Sequence, residues 1–301
     1  MTRPPALRQG DKAMIISPAG KIDETIVRGA ESILSAWGLN VCIGENALCQ
    51  TGRFSGFIEQ RLSDLQRAMD DPEIKLIFCS RGGYGVVHLL GKLSFEGIRK
   101  HPKWVVGFSD ITALHAALQC HGIESVHGPM AKHFVDEGAD DVSVRYLKSV
   151  LAGQPVKYDI PVGKYDYMNR TGRASGRLFG GNLSVFCGLM GTKCLSIPRK
   201  GILFIEDVGE APYRVDRMMY QLKLAGIFDR ISALIVGQFT DFEEDNSMFT
   251  SLYESIMATV GEYSFPVCFD FPVGHVKLNF PLTMGKRSTL AVYEKNIVFK
   301  Q

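Results

Sequence analysis

The sequence has no excess of either charge. Lys and Arg number 34 against 32 Asp and Glu, a net +2 over 301 residues. That balance excludes the clustered basic surplus on which nucleic-acid binding rests. No run of 18 apolar residues occurs, so no segment reads as a membrane-spanning helix. The opening MTRPPALRQGDK has no apolar signal core. No two of the seven cysteines (Cys42, Cys49, Cys79, Cys120, Cys187, Cys194, Cys268) form a CxxC pair. Neither a zinc knuckle nor a thioredoxin-like redox site follows from such spacing. Reduced, scattered thiols suit the cytoplasm, and a soluble cytoplasmic protein is the expectation. Internal repeats and low-complexity tracts are absent too. What is present is ordinary globular material: 46% hydrophobic and 22% charged residues exclude general disorder. At about 150 residues per domain, the length predicts two domains.

The first half alternates short apolar runs with helical patterns. Ala13–Ser17 is a strand that stops at Pro18-Ala19-Gly20. The helix after it carries Ile26, Ala30, Ile33, Leu34 and Trp37 on one stripe and stops at Gly38. Leu62, Leu65 and Met69 mark a second helix, ended by Asp71-Pro72. Leu76–Cys79 reads as a buried strand, then Arg81-Gly82-Gly83-Tyr84-Gly85 leads into a helix over 86–90. Trp104–Phe108 is a further strand, followed by a helix over 111–118. Strand, loop and helix repeated in this way predict a parallel sheet with helices on both faces. The expected organisation is an α/β domain over 1–135, a polar, turn-rich crossing segment over 136–175 and a mixed, β-rich domain over 176–301. In the last, Gly201–Ile205, Ala233–Val236, Pro266–Phe271 and the pair Leu290–Val292 and Ile297–Phe299 read as strands. Val215, Met218, Met219 and Leu222 mark a helix that ends before Gly226.

Three places could carry chemistry. In Gly107-Phe108-Ser109-Asp110-Ile111-Thr112 a serine stands where a buried strand gives way to a helix. That edge of an open α/β sheet is where ligands bind, and the helix N-terminus favours developing negative charge. The pattern is close to a nucleophile elbow, with Ile111 in place of the second glycine. A helix-capping Ser109 beside a dipole-stabilising Asp110 is the structural alternative. The loop Ser80–Gly85 leaves the neighbouring strand at the same edge. Its glycines allow close backbone approach to a ligand, or simply a tight turn. Third, Glu206 and Asp207 end a very apolar strand, a costly place for carboxylates without partners. A histidine base or a salt bridge to Arg214 or Arg217 would answer that cost. Among the seven histidines, His127 and His275 occupy loops after apolar runs, where function concentrates.

Taken together, these residues resemble the LD-carboxypeptidase family of serine peptidases, which includes the murein tetrapeptide carboxypeptidases and the microcin C immunity peptidases. The likeness runs through Ile16-Ser17-Pro18-Ala19, Arg81–Gly85, Val106–Leu114, His127-Gly128-Pro129-Met130 and Gly180-Gly181-Asn182-Leu183 with Gly191-Thr192. It continues through Glu206-Asp207-Val208-Gly209-Glu210, Tyr213–Met218 and Pro272-Val273-Gly274-His275. The resemblance implies a flavodoxin-like N-terminal domain, a β-rich C-terminal domain and a homodimer without metal or organic cofactor. It implies a triad of Ser109 as nucleophile, His275 as base and Glu206 as its orienting carboxylate. The backbone N–H groups of Gly83 and Asp110 would form the oxyanion hole, and Arg81, Tyr84 and Asn182 would meet the substrate. The implied reaction removes the terminal D-alanine of a cytosolic murein tetrapeptide during cell-wall recycling. Cleavage of an aminoacyl-nucleotide conjugate, or ligand binding without catalysis, are the alternatives. The microcin-type members stack the nucleotide on a tryptophan of the C-terminal domain. Here both tryptophans, Trp37 and Trp104, lie in the first half, which favours the murein peptide.

Overall fold

A computed structural model describes residues 1–301, apart from the side chain of Asp166. The chain forms two compact units, Met1–Pro155 with Lys277–Gly285, and Val156–Val276 with Lys286–Gln301.

Unit 1 runs β1 (Lys12–Ile16), α1 (Glu24–Ala36), β2 (Asn40–Ile43), α2 (Ile58–Asp70), β3 (Ile74–Cys79), α3 (Val87–Leu90), α4 (Glu96–Lys100), β4 (Trp104–Gly107), α5 (Thr112–Cys120), β5 (Ser125–His127), α6 (Ala131–Glu137) and α7 (Val142–Leu151), with β11 (Leu282–Met284) returning later in the chain. Its sheet has the order β11-β5-β4-β3-β1-β2. The β5-β4-β3-β1-β2 portion is parallel throughout, and only β11 pairs antiparallel, on β5. Read from the other edge this is the 2-1-3-4-5 winding of flavodoxin-like folds, with its ligand crevice outside the carboxyl ends of the strands. The inner strands are buried on both faces, which is why β3 carries a continuous apolar run (Leu76, Ile77, Phe78 and Cys79 are all 0% exposed), while the edge strand β2 is partly exposed. Helix α1 buries Val27, Ala30 and Leu34, a stripe that includes two of the positions expected from periodicity. Buried Lys103 ties α2 to β4: its ammonium donates to the carbonyls of Ala68 and Asp71 at the C-terminal end of α2. Burial pushes its pKa down to about 8.

Unit 2 runs β6 (Lys157–Pro161), β7 (Gly172–Asn182), α8 (Leu183–Gly188), β8 (Gly201–Val208), α9 (Pro212–Leu224), β9 (Ile231–Thr240), α10 (Leu252–Thr259), β10 (Val267–Cys268), β12 (Arg287–Val292) and β13 (Asn296–Lys300). Its sheet, ordered β10-β9-β8-β7-β12-β13-β6, is parallel from β10 to β7 and antiparallel from β7 to β6. The expected parallel sheet and the mixed second sheet are both present. Residues 136–175, read from sequence as a crossing segment, carry α7, β6 and the start of β7, and the chain first passes from unit 1 to unit 2 at 155/156, returning over Lys277–Gly285. The run Pro266–Phe271 shortens to the two-residue β10, because Asp270 takes φ 57 and breaks the extended backbone.

Candidate active site

Each part of the candidate chemistry is built locally within its own unit. In unit 1, β4 ends at Gly107 and the chain turns sharply at Ser109, which has φ 63. A left-handed conformation costs a non-glycine residue about 1–2 kcal/mol, and such strain gathers at functional sites. Ser109 caps neither the short 3-10 turn Ser109–Ile111 nor α5; those cap positions belong to Phe108 and Ile111. An αL serine at a strand–helix corner is the geometry of a nucleophile elbow. Asp110 beside it is buried, and its Oδ2 accepts the N–H of Val86 at 2.9 Å. Burial raises the Asp110 pKa, against the opposing effects of the Val86 N–H and the Arg61 and His88 charges. Behind the corner, His115 is 1% exposed, with Nε2 2.8 Å from the Gly107 carbonyl and Nδ1 2.8 Å from Ser125 Oγ. Since a carbonyl only accepts, Nε2 carries the proton and Nδ1 accepts from the serine. Burial pushes the His115 pKa down to about 4.

The glycine loop after β3 is packed against this corner. A Cβ on Gly82 would stand 2.7 Å from the Cβ and 2.9 Å from the Oγ of Ser109. The loop is held from below by the Ser80–Ser17 hydroxyl pair at 2.6 Å and by the Gly20 N–H, which donates to the Gly82 carbonyl at 3.0 Å. Arg81 is exposed and donates through Nη1 to the Lys21 carbonyl at 2.8 Å. Tyr84 is 45% exposed, with the Arg53 guanidinium over its ring at 5.9 Å. Beneath them lies Arg61 of α2, 3% exposed, its Nη1 donating to the carbonyls of Pro18 and Gly85, both at 2.9 Å. The periodicity of α2 did not single this residue out. A cation four residues before buried Leu65 and seven before buried Ala68 is the signal that could have.

In unit 2, Glu206 and His275 are hydrogen-bonded to each other. Glu206 is fully buried near the end of β8, and its Oε2 lies 2.8 Å from Nδ1 of half-buried His275. A bulge lies opposite Glu206. Ile205 pairs with Val236 and Asp207 with Phe239, so Gly237 and Gln238 of β9 together oppose Glu206. The Gln238 N–H donates to the Val273 carbonyl at 3.0 Å, which seats the loop leading to His275. Burial is the largest influence on the His275 pKa and lowers it. The hydrogen bond to Glu206 and the charges of Glu206, Asp207 and Asp241 outweigh it, holding the pKa above 6.5.

Asp207 is partnered differently. Its carboxylate accepts from Asn182 Nδ2 at 2.7 Å, Ser184 N at 2.8 Å and Val208 N at 2.9 Å. Burial, with Glu206 next to it, pushes its pKa up to about 6 against those three bonds. Asn182 is itself 4% exposed and caps α8 by accepting the Val185 N–H. The salt bridges considered for Glu206 and Asp207 do not form: Arg214 pairs with Glu210, and Arg217 lies over the Tyr213 ring. His127, the other loop candidate, lies on β5 and is 0% exposed.

Unit 1 thus holds a serine at positive φ packed against a glycine loop, and unit 2 an imidazole hydrogen-bonded to a buried carboxylate, residue types that acyl transfer can use. Among the described residues, no group of three or more His, Cys, Asp or Glu side chains is arranged to hold a metal ion, and no helix is long and apolar enough to cross a membrane. Residues 14–128 match the LD-carboxypeptidase N-terminal domain and residues 175–290 the LD-carboxypeptidase C-terminal domain. The chain is 32% identical to a probable murein peptide carboxypeptidase of Bacillus subtilis, over 99% of this chain and 94% of that one. It is 30% identical to the murein tetrapeptide carboxypeptidase of Pseudomonas aeruginosa, over 93% and 92%. The crystal structure of muramoyltetrapeptide carboxypeptidase from Oxalobacter formigenes superposes with a TM-score of 0.87 at 28% identity, covering 96% of this chain and 98% of that one. With both domain families matched in order and relatives aligned along almost its whole length, the chain belongs to the LD-carboxypeptidase family of peptidases.

Proposed function

We propose that the protein is a serine carboxypeptidase that releases the terminal D-alanine of a murein tetrapeptide by hydrolysing its L,D-peptide bond. The buried Glu206–His275 pair carries the reading. A fully buried carboxylate hydrogen-bonded to a half-buried imidazole is expensive to build and is the arrangement that orients a general base. In this mechanism His275 Nε2 takes the Ser109 proton while Oγ bonds to the scissile carbonyl carbon. Glu206 fixes the tautomer through Nδ1–H and stabilises the imidazolium. The N–H groups of Gly83 and Asp110 receive the oxyanion. Collapse of the tetrahedral intermediate breaks the C–N bond, and His275 returns its proton to the departing D-alanine nitrogen. Water, deprotonated by the same imidazole, then hydrolyses the acyl-enzyme and frees Ser109.

Exposed Arg81 and Tyr84 are our candidates to meet the substrate, Arg81 by gripping its free carboxylate. Asn182 enters as support for the acidic strand end through Asp207. The names of the relatives favour a murein peptide, and the family resemblance adds a cytoplasmic homodimer that needs no cofactor. The test is incubation with a murein tetrapeptide and measurement of free D-alanine, alongside Ser109→Ala. Release by the parent and none by the variant is expected. An intact tetrapeptide beside a cleaved aminoacyl-nucleotide would move the substrate to the immunity-peptidase class. Full activity in Ser109→Ala would remove the serine mechanism.

A further inference from the structure

We propose that Arg61 is a positioning residue for the oxyanion-binding loop, and that it acts together with Asp110 on a single peptide group, Gly85–Val86. This rests on the reading of Ser109 as nucleophile and of the Gly83 N–H as oxyanion donor.

The geometry is specific. The carbonyl of the 85–86 peptide accepts from Arg61 Nη1 at 2.9 Å, and the N–H of the same peptide donates to Asp110 Oδ2 at 2.9 Å. That peptide plane is therefore held at both ends by buried, oppositely charged side chains. Arg61 Nη1 also donates to the Pro18 carbonyl at 2.9 Å. Two residues on, the Gly20 N–H holds the Gly82 carbonyl at 3.0 Å, and Gly82 lies against Ser109. One guanidinium thus reaches the glycine loop from both sides: directly at its end, and through the 18–20 segment at its start. Asp110 closes the circuit, because its own N–H is the second expected oxyanion donor. Gly85 is part of the fit. It has φ +120, and a Cβ there would lie 2.7 Å from Arg61 Nη1 and 3.0 Å from the Phe54 ring on which the guanidinium rests.

Stability alone is a poor account of this arginine. Burying a cation is costly unless its donors are satisfied. Here Nη1 serves two loop carbonyls, while the buried Nε has no hydrogen-bond partner among the described residues. The group is placed for what it holds, not for its own satisfaction. A preorganised oxyanion hole needs fixed N–H directions, and fixing one peptide plane at both ends supplies them.

The test uses a serine-directed fluorophosphonate on the full chain, followed by intact-protein mass, so that no peptide substrate has to be known. The labelled fraction reports correctly folded sites. The second-order labelling rate reports the hole, since the phosphonyl oxygen occupies it. Arg61→Met is expected to label to the same fraction at a rate about 10²-fold lower, and Arg61→Lys to recover part of that rate. Gly85→Ala, which crowds the guanidinium without removing it, is expected to slow labelling in the same way and guards against misfolding of Arg61→Met. A parent-like rate in Arg61→Met or Gly85→Ala, with only the labelled fraction reduced, would overturn the proposal. A parent that labels at no serine, or at one other than Ser109, would instead overturn the serine reading and this inference with it.

Discussion

Gly82 and Ser109 share one volume: the space a side chain at Gly82 would need is filled by the Ser109 side chain, with contacts of 2.7 Å to Cβ and 2.9 Å to Oγ. Gly82→Ala must displace either the serine or the loop. Overpacking of this kind costs about 1–3 kcal/mol of stability. Misaligning an oxyanion donor costs about 10²–10³ in kcat. The expected result is a modest fall in unfolding midpoint with a disproportionate fall in kcat, measured by calorimetry and steady-state kinetics. An active Gly82→Ala enzyme would show that the close approach has no part in the chemistry.

The Glu206–His275 pair makes a statement about pH. Because the His275 pKa is raised above 6.5, the imidazole is protonated below that raised value and unable to act as base. The acid limb of kcat/KM should therefore lie above pH 6.5, with activity rising as the proton leaves. Glu206→Gln removes the largest influence that raises the pKa, so the limb should move to lower pH, while kcat falls by about 10³–10⁴-fold as the tautomer is lost. A pH–rate profile of both proteins checks this, and an unmoved limb would count against His275 as the base.

His115 gives a prediction about stability rather than rate. Its pKa is about 4 in the folded protein, below the ordinary 6.5, so the unfolded chain binds more protons between those values. Stability should be full above pH 6.5 and be lost as pH falls towards 4, by roughly 3 kcal/mol in total. Urea unfolding across that range measures it. His115→Gln, which has no proton to gain there, should flatten the slope.

Asn182 both caps α8 and donates to Asp207. Asn182→Ala should cost about 0.5–2 kcal/mol for the cap alone. It also strips one of the bonds that lower the Asp207 pKa, so that pKa should rise beyond about 6. Calorimetry together with carboxylate titration by NMR would read both effects. A variant with unchanged melting temperature would show that the cap contributes little.

Local patterns made much of this legible. The alternation of apolar runs and helical stripes foretold β1, β3 and β4 and the helices α1, α2, α3 and α5, but not β2 or α4. The polar serine at the end of a buried strand marked the corner that the structure shows as strained. The paired acids closing β8 signalled a buried charge in need of a partner. Other features had no local signature. Nothing around Gly237-Gln238 announces a bulge, since a bulge is a relation between two strands. Arg61 looked like one more charged residue on a helix until two loops closed over it.

Short stretches of chain thus marked many of the elements and the candidate side chains, because φ/ψ preference, side-chain periodicity and the cost of burying charge act over a few neighbouring residues. Which of them meet is set by long-range pairing that no local pattern encodes, and for Glu206 and His275 only the family resemblance anticipated it. Glu206 bonds to His275 across 69 residues, Arg61 reaches Gly85 across 24, and Lys277–Gly285 returns to unit 1, where β11 pairs with β5. Such pairings are paid for by burial and hydrogen bonding summed over whole sheets, and that sum leaves no mark on any short stretch of chain.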